Sequence, residues 1–139
     1  MALVTALLFV IAPIARAAQY RFVLVANRSV PVESLDRSEV SDIFLSQEAH
    51  WSDGSVVKPV TLRTAEVREE FAKVIHGKDD LQLRKHWQRQ IFTGRGSPPP
   101  ERPSDEALLD YVARTPGAIG YVSANARIDS SSVKVVALR

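Results

Sequence analysis

The chain of 139 residues contains no cysteine and only one methionine, and its formal net charge is just +2. The absence of cysteine excludes disulfides, thiolate catalysis and cysteine-ligated metals together, and we expect no lipid anchor on a cysteine. The small net charge argues against strong electrostatic binding to nucleic acid. A domain without disulfides has to be held together by its apolar core.

Sequence patterns for metals, cofactors and catalysis are also missing. The three histidines, His50, His76 and His86, are far apart, and none has a second histidine or a cysteine two to four residues away. We therefore expect them to be solvated surface residues. The chain has neither a nucleophile elbow nor a phosphate-binding P-loop. These observations predict no resident metal, no cofactor and no enzymatic activity.

The N-terminus is almost wholly apolar and carries the signals of export. Residues 1–17 are too short to cross a bilayer, Pro13 interrupts them, and no lysine or arginine precedes the apolar run. The small residues Ala15 and Ala17 fit the −3 and −1 positions of a signal-peptidase site. The pattern predicts a secretory signal peptide, 1–17, cleaved near Ala17, with an uncleaved membrane anchor as the alternative.

Cleavage there leaves residues 18–139, which we expect to form a single domain with one core. The formal charge falls from +2 to +1, because Arg16 leaves with the signal peptide. The predicted location is the periplasm, off the membrane.

Strands and helices alternate along this domain. Strand patterns cover 20–26, 56–61, 118–122 and 133–138, with Pro59 at a sheet edge or a strand end. Helix start signals lie near Asp36, Glu66, Asp79 and Ser104. Asp36 and Glu39 have the spacing of a capping box. The alternation predicts an α/β fold with a parallel or mixed central sheet flanked by helices.

Two tryptophans and a proline-rich stretch are harder to place by pattern alone. Trp87 shares an apolar helical stripe with Leu83 and Ile91, which favours core packing over ligand stacking. Trp51 lies in a predicted turn, so packing and ligand stacking both stay open for it. Residues 93–103 contain glycines and consecutive prolines, and they predict a long surface loop.

Two places have the chemistry to bind an anion. Arg63 and Thr64 directly precede a predicted helix, whose first amides are unpaired and carry the positive end of the helix dipole. The alternative is that Thr64 only caps this helix. Arg95 lies between Gly94 and Gly96, where backbone amides could approach a ligand closely. The alternative there is an ordinary solvated loop tip.

Several of these segments, in this order, resemble a known family. They are 30–46 with its Asp-Ile-Phe-Leu-Ser end, Trp51, the Lys-Pro-Val strand, Leu62–Arg63–Thr64, Phe-Thr-Gly-Arg-Gly at 92–96, and Pro-Gly-Ala-Ile-Gly-Tyr-Val at 116–122. The chain resembles the second lobe of the phosphate ABC transporter periplasmic substrate-binding proteins and is similar to small, single-lobe members. The resemblance implies one lobe of a type 2 periplasmic binding protein and an anion site at Arg63.

The resemblance is incomplete at that anion site. Arg63 is retained, but Ala65 stands at the family's Asp position, and Val67, Arg68 and Glu69 replace its Ser-Gly-Thr run. Two functions follow as alternatives. The first is weak, reversible binding of phosphate or another small anion. The second is a periplasmic interaction module, with a protein partner or a second copy of the chain covering the half-cleft.

Overall fold

The computed structural model describes residues 20–139, so the predicted signal peptide at residues 1–17 lies outside the described residues. The strands in this part are β1 (Phe22–Asn27), β2 (Ser34–Leu35), β3 (Lys58–Pro59), β4 (Thr61–Leu62), β5 (Glu101–Arg102), β6 (Ala118–Ser123) and β7 (Val133–Leu138). The α-helices are α1 (Arg37–Phe44), α2 (Ala65–Phe71), α3 (Asp80–Phe92) and α4 (Asp105–Arg114).

Five of the strands form a mixed sheet in the order β2-β7-β1-β6-β3. The central strand β1 is antiparallel to both β6 and β7, whereas the outer strands β2 and β3 run parallel to their neighbours. β1 is buried along most of its length because sheet neighbours flank it on both sides and helices cover it. The predicted α/β class with a mixed, helix-flanked sheet is confirmed.

The predicted strand at 56–61 is two short strands in two different sheets. β3 pairs with β6 at the edge of the large sheet, and β4 pairs with β5 in a separate parallel pair. The chain changes its hydrogen-bonding partner after Val60. The amide of Val60 donates to the carbonyl of Ile119 on β6 at 2.9 Å, whereas the amide of Thr61 donates to the carbonyl of Pro100. Pro59 does lie at a sheet edge, where its missing N–H costs nothing.

The helix starts follow the capping signals of the sequence, with one exception. Asp36 and Glu39 form the predicted capping box of α1, and Asp79 forms another with Gln82 at α3. Ser104 caps α4 through the amide of Ala107. Thr64 occupies the corresponding position before α2, but its side chain makes no capping hydrogen bond. The side-chain hydrogen bond expected if Thr64 capped that helix is therefore not formed.

The helix that begins at α2 changes its winding before it ends. Residues Ala72–His76 form a π-helical turn, and Gly77 then ends the segment in the left-handed conformation at φ 61°. Val67, Phe71 and Ile75 are buried, as their spacing predicts. Such π-helical turns are rare in proteins and often occur at functional sites.

The core lies between the large sheet and the helices, and α3 is outside it. Aromatic rings fill its centre, where Phe71 stacks on Tyr121 at 3.9 Å and meets Phe44 edge-on at 4.9 Å. By contrast, α3 has no buried residue. Among residues 20–139, no helix has the length and apolar character needed to cross a membrane.

The two glycines of the Pro-Gly-Ala-Ile-Gly-Tyr segment lie where neighbouring elements approach the backbone closely. Gly117 has φ 82°, and a Cβ there would lie 2.2 Å from the carbonyl oxygen of Val56. The indole N–H of Trp51 donates to the carbonyl of Gly117 at 3.0 Å. A Cβ on Gly120 would contact Val60 and Leu108 at less than 3.0 Å. Both glycines permit close approach of other elements, and Trp51 is a buried packing residue rather than a ligand-stacking one.

Candidate functional site

A cleft of about 420 Å³ lies between α3 and the body of the domain. We call it the α3 cleft. Its apolar lining includes Phe44, Phe71, Leu83, Trp87, Pro99 and Tyr121. Its polar lining includes Thr61, Arg68, His76, Asp80, Arg84 and Glu101. A largely apolar concavity with a few polar groups is the usual composition of a small-molecule site.

The placement of Trp87 corrects the sequence prediction. Trp87 was expected in the core, but it is only half-buried, and its stripe partner Ile91 is 58% exposed. The amphipathic pattern of α3 is real, but its apolar side borders a cleft instead of closing onto the sheet. Trp87 is therefore available to pack against a bound molecule.

The two carboxylates of the α3 cleft already have cationic partners. Asp80 lies 3.8 Å from the guanidinium of Arg68, and Glu101 lies 3.4 Å from that of Arg63. Within the described residues, no carboxylate oxygen lies within 4.0 Å of Arg84. The cleft therefore presents one cation that the protein does not neutralise by direct pairing.

His76 is a neutral hydrogen-bonding group at the edge of the cleft. Its Nδ1 lies 2.8 Å from the hydroxyl of Ser41, and its ring meets Phe71 edge-on. Burial, followed by the nearby charges of His86 and Lys78, lowers the pKa of His76 from 6.5 to about 4. The prediction of a solvated surface histidine is wrong here, because the π turn brings the ring against the core.

His86 also differs from the sequence prediction. It is half-buried on α3, its ring meets Trp87 edge-on at 4.8 Å, and its Nε2 is buried without a hydrogen-bond partner in the described structure. Burial lowers the pKa of His86. In the described part of the chain, no three histidine, aspartate or glutamate side chains are grouped so that they could hold a metal ion.

The predicted anion residues Arg63 and Thr64 lie together at the start of α2, beside the cleft. The Arg63 side chain is 62% exposed, and its Nε donates to Glu101 at 3.4 Å. The first intrahelical bond of α2 runs from the amide of Arg68 to the carbonyl of Thr64, so the amides before Arg68 have no partner within the helix. An anion could accept from these amides and from Arg63.

Arg95 occupies a separate loop. Its amide donates to the carbonyl of Gln90 at the end of α3, and the neighbouring Gly96 lies against Ser46, just after α1. Arg63 instead faces Glu101 on β5. The two arginines thus belong to different local environments.

Several residues of the α3 cleft were not singled out by sequence reasoning. Arg84 and Tyr121 are two such residues. One sequence signal could have drawn attention to this region: residues 81–100 include four arginine or lysine residues and no aspartate or glutamate.

Comparison with solved structures identifies the fold. A phosphate ABC transporter substrate-binding protein with bound phosphate from Clostridium perfringens matches 84% of this chain at 18% identity and a TM-score of 0.66. An ABC-type phosphate transport receptor from Vibrio cholerae matches 84% at 19% identity and a TM-score of 0.64. No protein-family model and no curated protein matches the sequence.

The match covers only part of these proteins, since this chain spans 44% and 45% of their respective lengths. This share agrees with the predicted resemblance to one lobe. The chain therefore has the fold of a single lobe of a phosphate-type substrate-binding protein.

Proposed function

We propose that this chain is a periplasmic solute-binding module that binds a small anion such as phosphate weakly and reversibly, without catalysing a reaction. The observation that carries the proposal is the shared fold with a protein that has bound phosphate. The apolar, cleavable pattern of residues 1–17 supports export. The mechanism is hydrogen bonding to oriented donors, with no covalent step.

We propose Arg63 and Thr64 as the principal contacts for this anion. The exposed guanidinium supplies charge and two parallel donors, and the free Thr64 hydroxyl and the following amides add further hydrogen bonds. Arg95 is a weaker second candidate, because it lies on the separate loop after α3. Glu66 in the first turn of α2 and Glu101 beside Arg63 repel an anion, so the expected affinity is low.

A thermal-shift titration with phosphate, sulfate and acetate tests this proposal. A ligand at tenfold excess over its Kd should raise the Tm of the wild-type chain by about 5 °C. Arg63→Gln and Thr64→Ala should reduce that shift. Arg114→Gln is the matched control, because Arg114 is also exposed and paired with a carboxylate, but on α4.

Two results would contradict the proposal. The first is the absence of any shift with millimolar anion. The second is an equal reduction of the shift by Arg114→Gln, which would indicate a general charge effect rather than a site.

The second candidate is an interaction module, and the exposed outer face of α3 favours it. Leu81 is 54% exposed and Phe92 is 93% exposed, which is unusual for side chains of this size. Light scattering across a concentration series should show association that Phe92→Ser weakens. A chain that stays monomeric at every concentration and retains no partner in pull-down experiments would exclude this candidate.

A further inference from the structure

The charged side chains that line the α3 cleft include one cation without an ion-pair partner in residues 20–139. Asp80 is paired with Arg68, and Glu101 is paired with Arg63 outside the cleft. His76 adds a hydrogen-bonding group that stays neutral near pH 7. In the described structure, Arg84 is therefore the cation of the cleft that has no carboxylate partner.

The walls around Arg84 are made mostly of rings and apolar side chains. Trp87 and Leu83 line the cleft from α3, Phe71 and Tyr121 line it from the core, and Pro99 closes one side. The two core rings stack on each other at 3.9 Å, so this wall is fixed. The half-buried Trp87 on α3 gives the opposite wall an aromatic face.

We propose that the α3 cleft binds a small organic monoanion with an aromatic or other apolar body, its acid group on Arg84 and its body against Trp87. A single unpaired cation matches a single negative charge. Contact with the apolar walls contributes little binding free energy for a small hydrated ion, but it favours a ligand whose ring is buried there. A volume of about 420 Å³ is at the scale of small-molecule sites.

The proposed contacts in the α3 cleft differ from those proposed for the anion at Arg63, although Glu101 of the cleft is the ion-pair partner of Arg63. Arg63 does not line the cleft and Arg84 does not lie at the start of α2. Inorganic phosphate has no apolar body and is a mixture of monoanion and dianion near neutral pH, so it gains nothing from the apolar walls of the cleft. The two proposals can therefore fail separately.

Calorimetric titration of the full chain with four probes tests the inference. Benzoate has both the charge and the ring, acetate has the charge alone, benzyl alcohol has the ring alone, and phosphate has charge without any apolar body. We expect benzoate to bind at least about tenfold more tightly than each of the other three, since charge and burial contribute together.

Variants on one helix then locate the site. Arg84→Gln and Trp87→Leu should each weaken benzoate binding by about tenfold or more. Arg89→Gln is the matched control, because it removes the same charge from α3 at a position that does not line the cleft. Circular dichroism of each variant verifies the fold.

Four outcomes would overturn the inference. They are no heat of benzoate binding up to about 10 mM, equal binding of acetate, equal binding of benzyl alcohol, and equal weakening by Arg89→Gln and Arg84→Gln.

Discussion

Gly117→Ala should be among the most damaging single-methyl changes in this domain. Gly117 is left-handed at φ 82°, and its added Cβ would lie 2.2 Å from the carbonyl oxygen of Val56. The left-handed conformation costs a non-glycine residue roughly 1–2 kcal/mol. Forcing the backbone at Val56 to move adds about 1–3 kcal/mol, the typical cost of an overpacked site.

The same chain contains a matched control for the conformational part of that cost. Gly54 has φ 85°, but a Cβ there would meet nothing within 4 Å. Gly54→Ala should therefore lose only the roughly 1–2 kcal/mol of the left-handed conformation. The difference between the two variants isolates the contact with Val56, and we expect it to be about 2 kcal/mol.

Urea unfolding followed by circular dichroism measures both variants against the wild type. With an m-value of about 1–1.5 kcal/mol per molar urea, a difference of about 2 kcal/mol separates the two midpoints by between about 1 and 2 M. Equal midpoints for the two variants would refute the reasoning, since both share the same backbone conformation and only Gly117 has the close contact. A changed m-value would show that the comparison is no longer two-state.

Three further predictions concern other parts of the fold. Asp36→Ala should destabilise the domain by about 1 kcal/mol in urea unfolding, whereas Thr64→Ala should have almost no effect, because only Asp36 makes a capping bond. Asn27→Ala should cost about 2 kcal/mol by the same measurement, because its amide donates to the carbonyls of Val112 and Ala113 at the end of α4. Lowering the pH from 6.5 to about 4 should remove on the order of 3 kcal/mol of stability, because the unfolded chain protonates His76 first. That loss should be absent in His76→Gln when unfolding is measured across this pH range, and an unchanged pH profile in the variant would contradict the assignment.

Local sequence signals predicted much of the fold correctly. The capping box at Asp36, the helix start at Asp79 and the burial of Val67 and Phe71 follow from local spacing, because each depends on residues three or four positions apart. The position of Pro59 at a sheet edge followed from its missing amide hydrogen. Segment order then supported the resemblance to a single lobe.

The errors of the sequence reading all involve partners distant in the chain. The strand predicted at 56–61 divides because Thr61 bonds to Pro100 instead of continuing along β6. Trp87 has the spacing of a core residue, yet it borders a cleft, because periodicity specifies a face and not what covers it. His76 is buried because it packs against Phe71 and Ser41, and this burial lowers the pKa of His76 to about 4.

The sequence by itself therefore determined the α/β class and the helix starts, whereas the anion pair Arg63 and Thr64 stays a prediction. Only the tertiary structure decided that the strand predicted at 56–61 divides between two sheets and that Arg84 lacks a carboxylate partner in the described residues. Caps and apolar faces are set by neighbours within one or two helical turns. Charge balance in a cleft depends on side chains from α2, α3 and β5, which are brought together only when the chain packs.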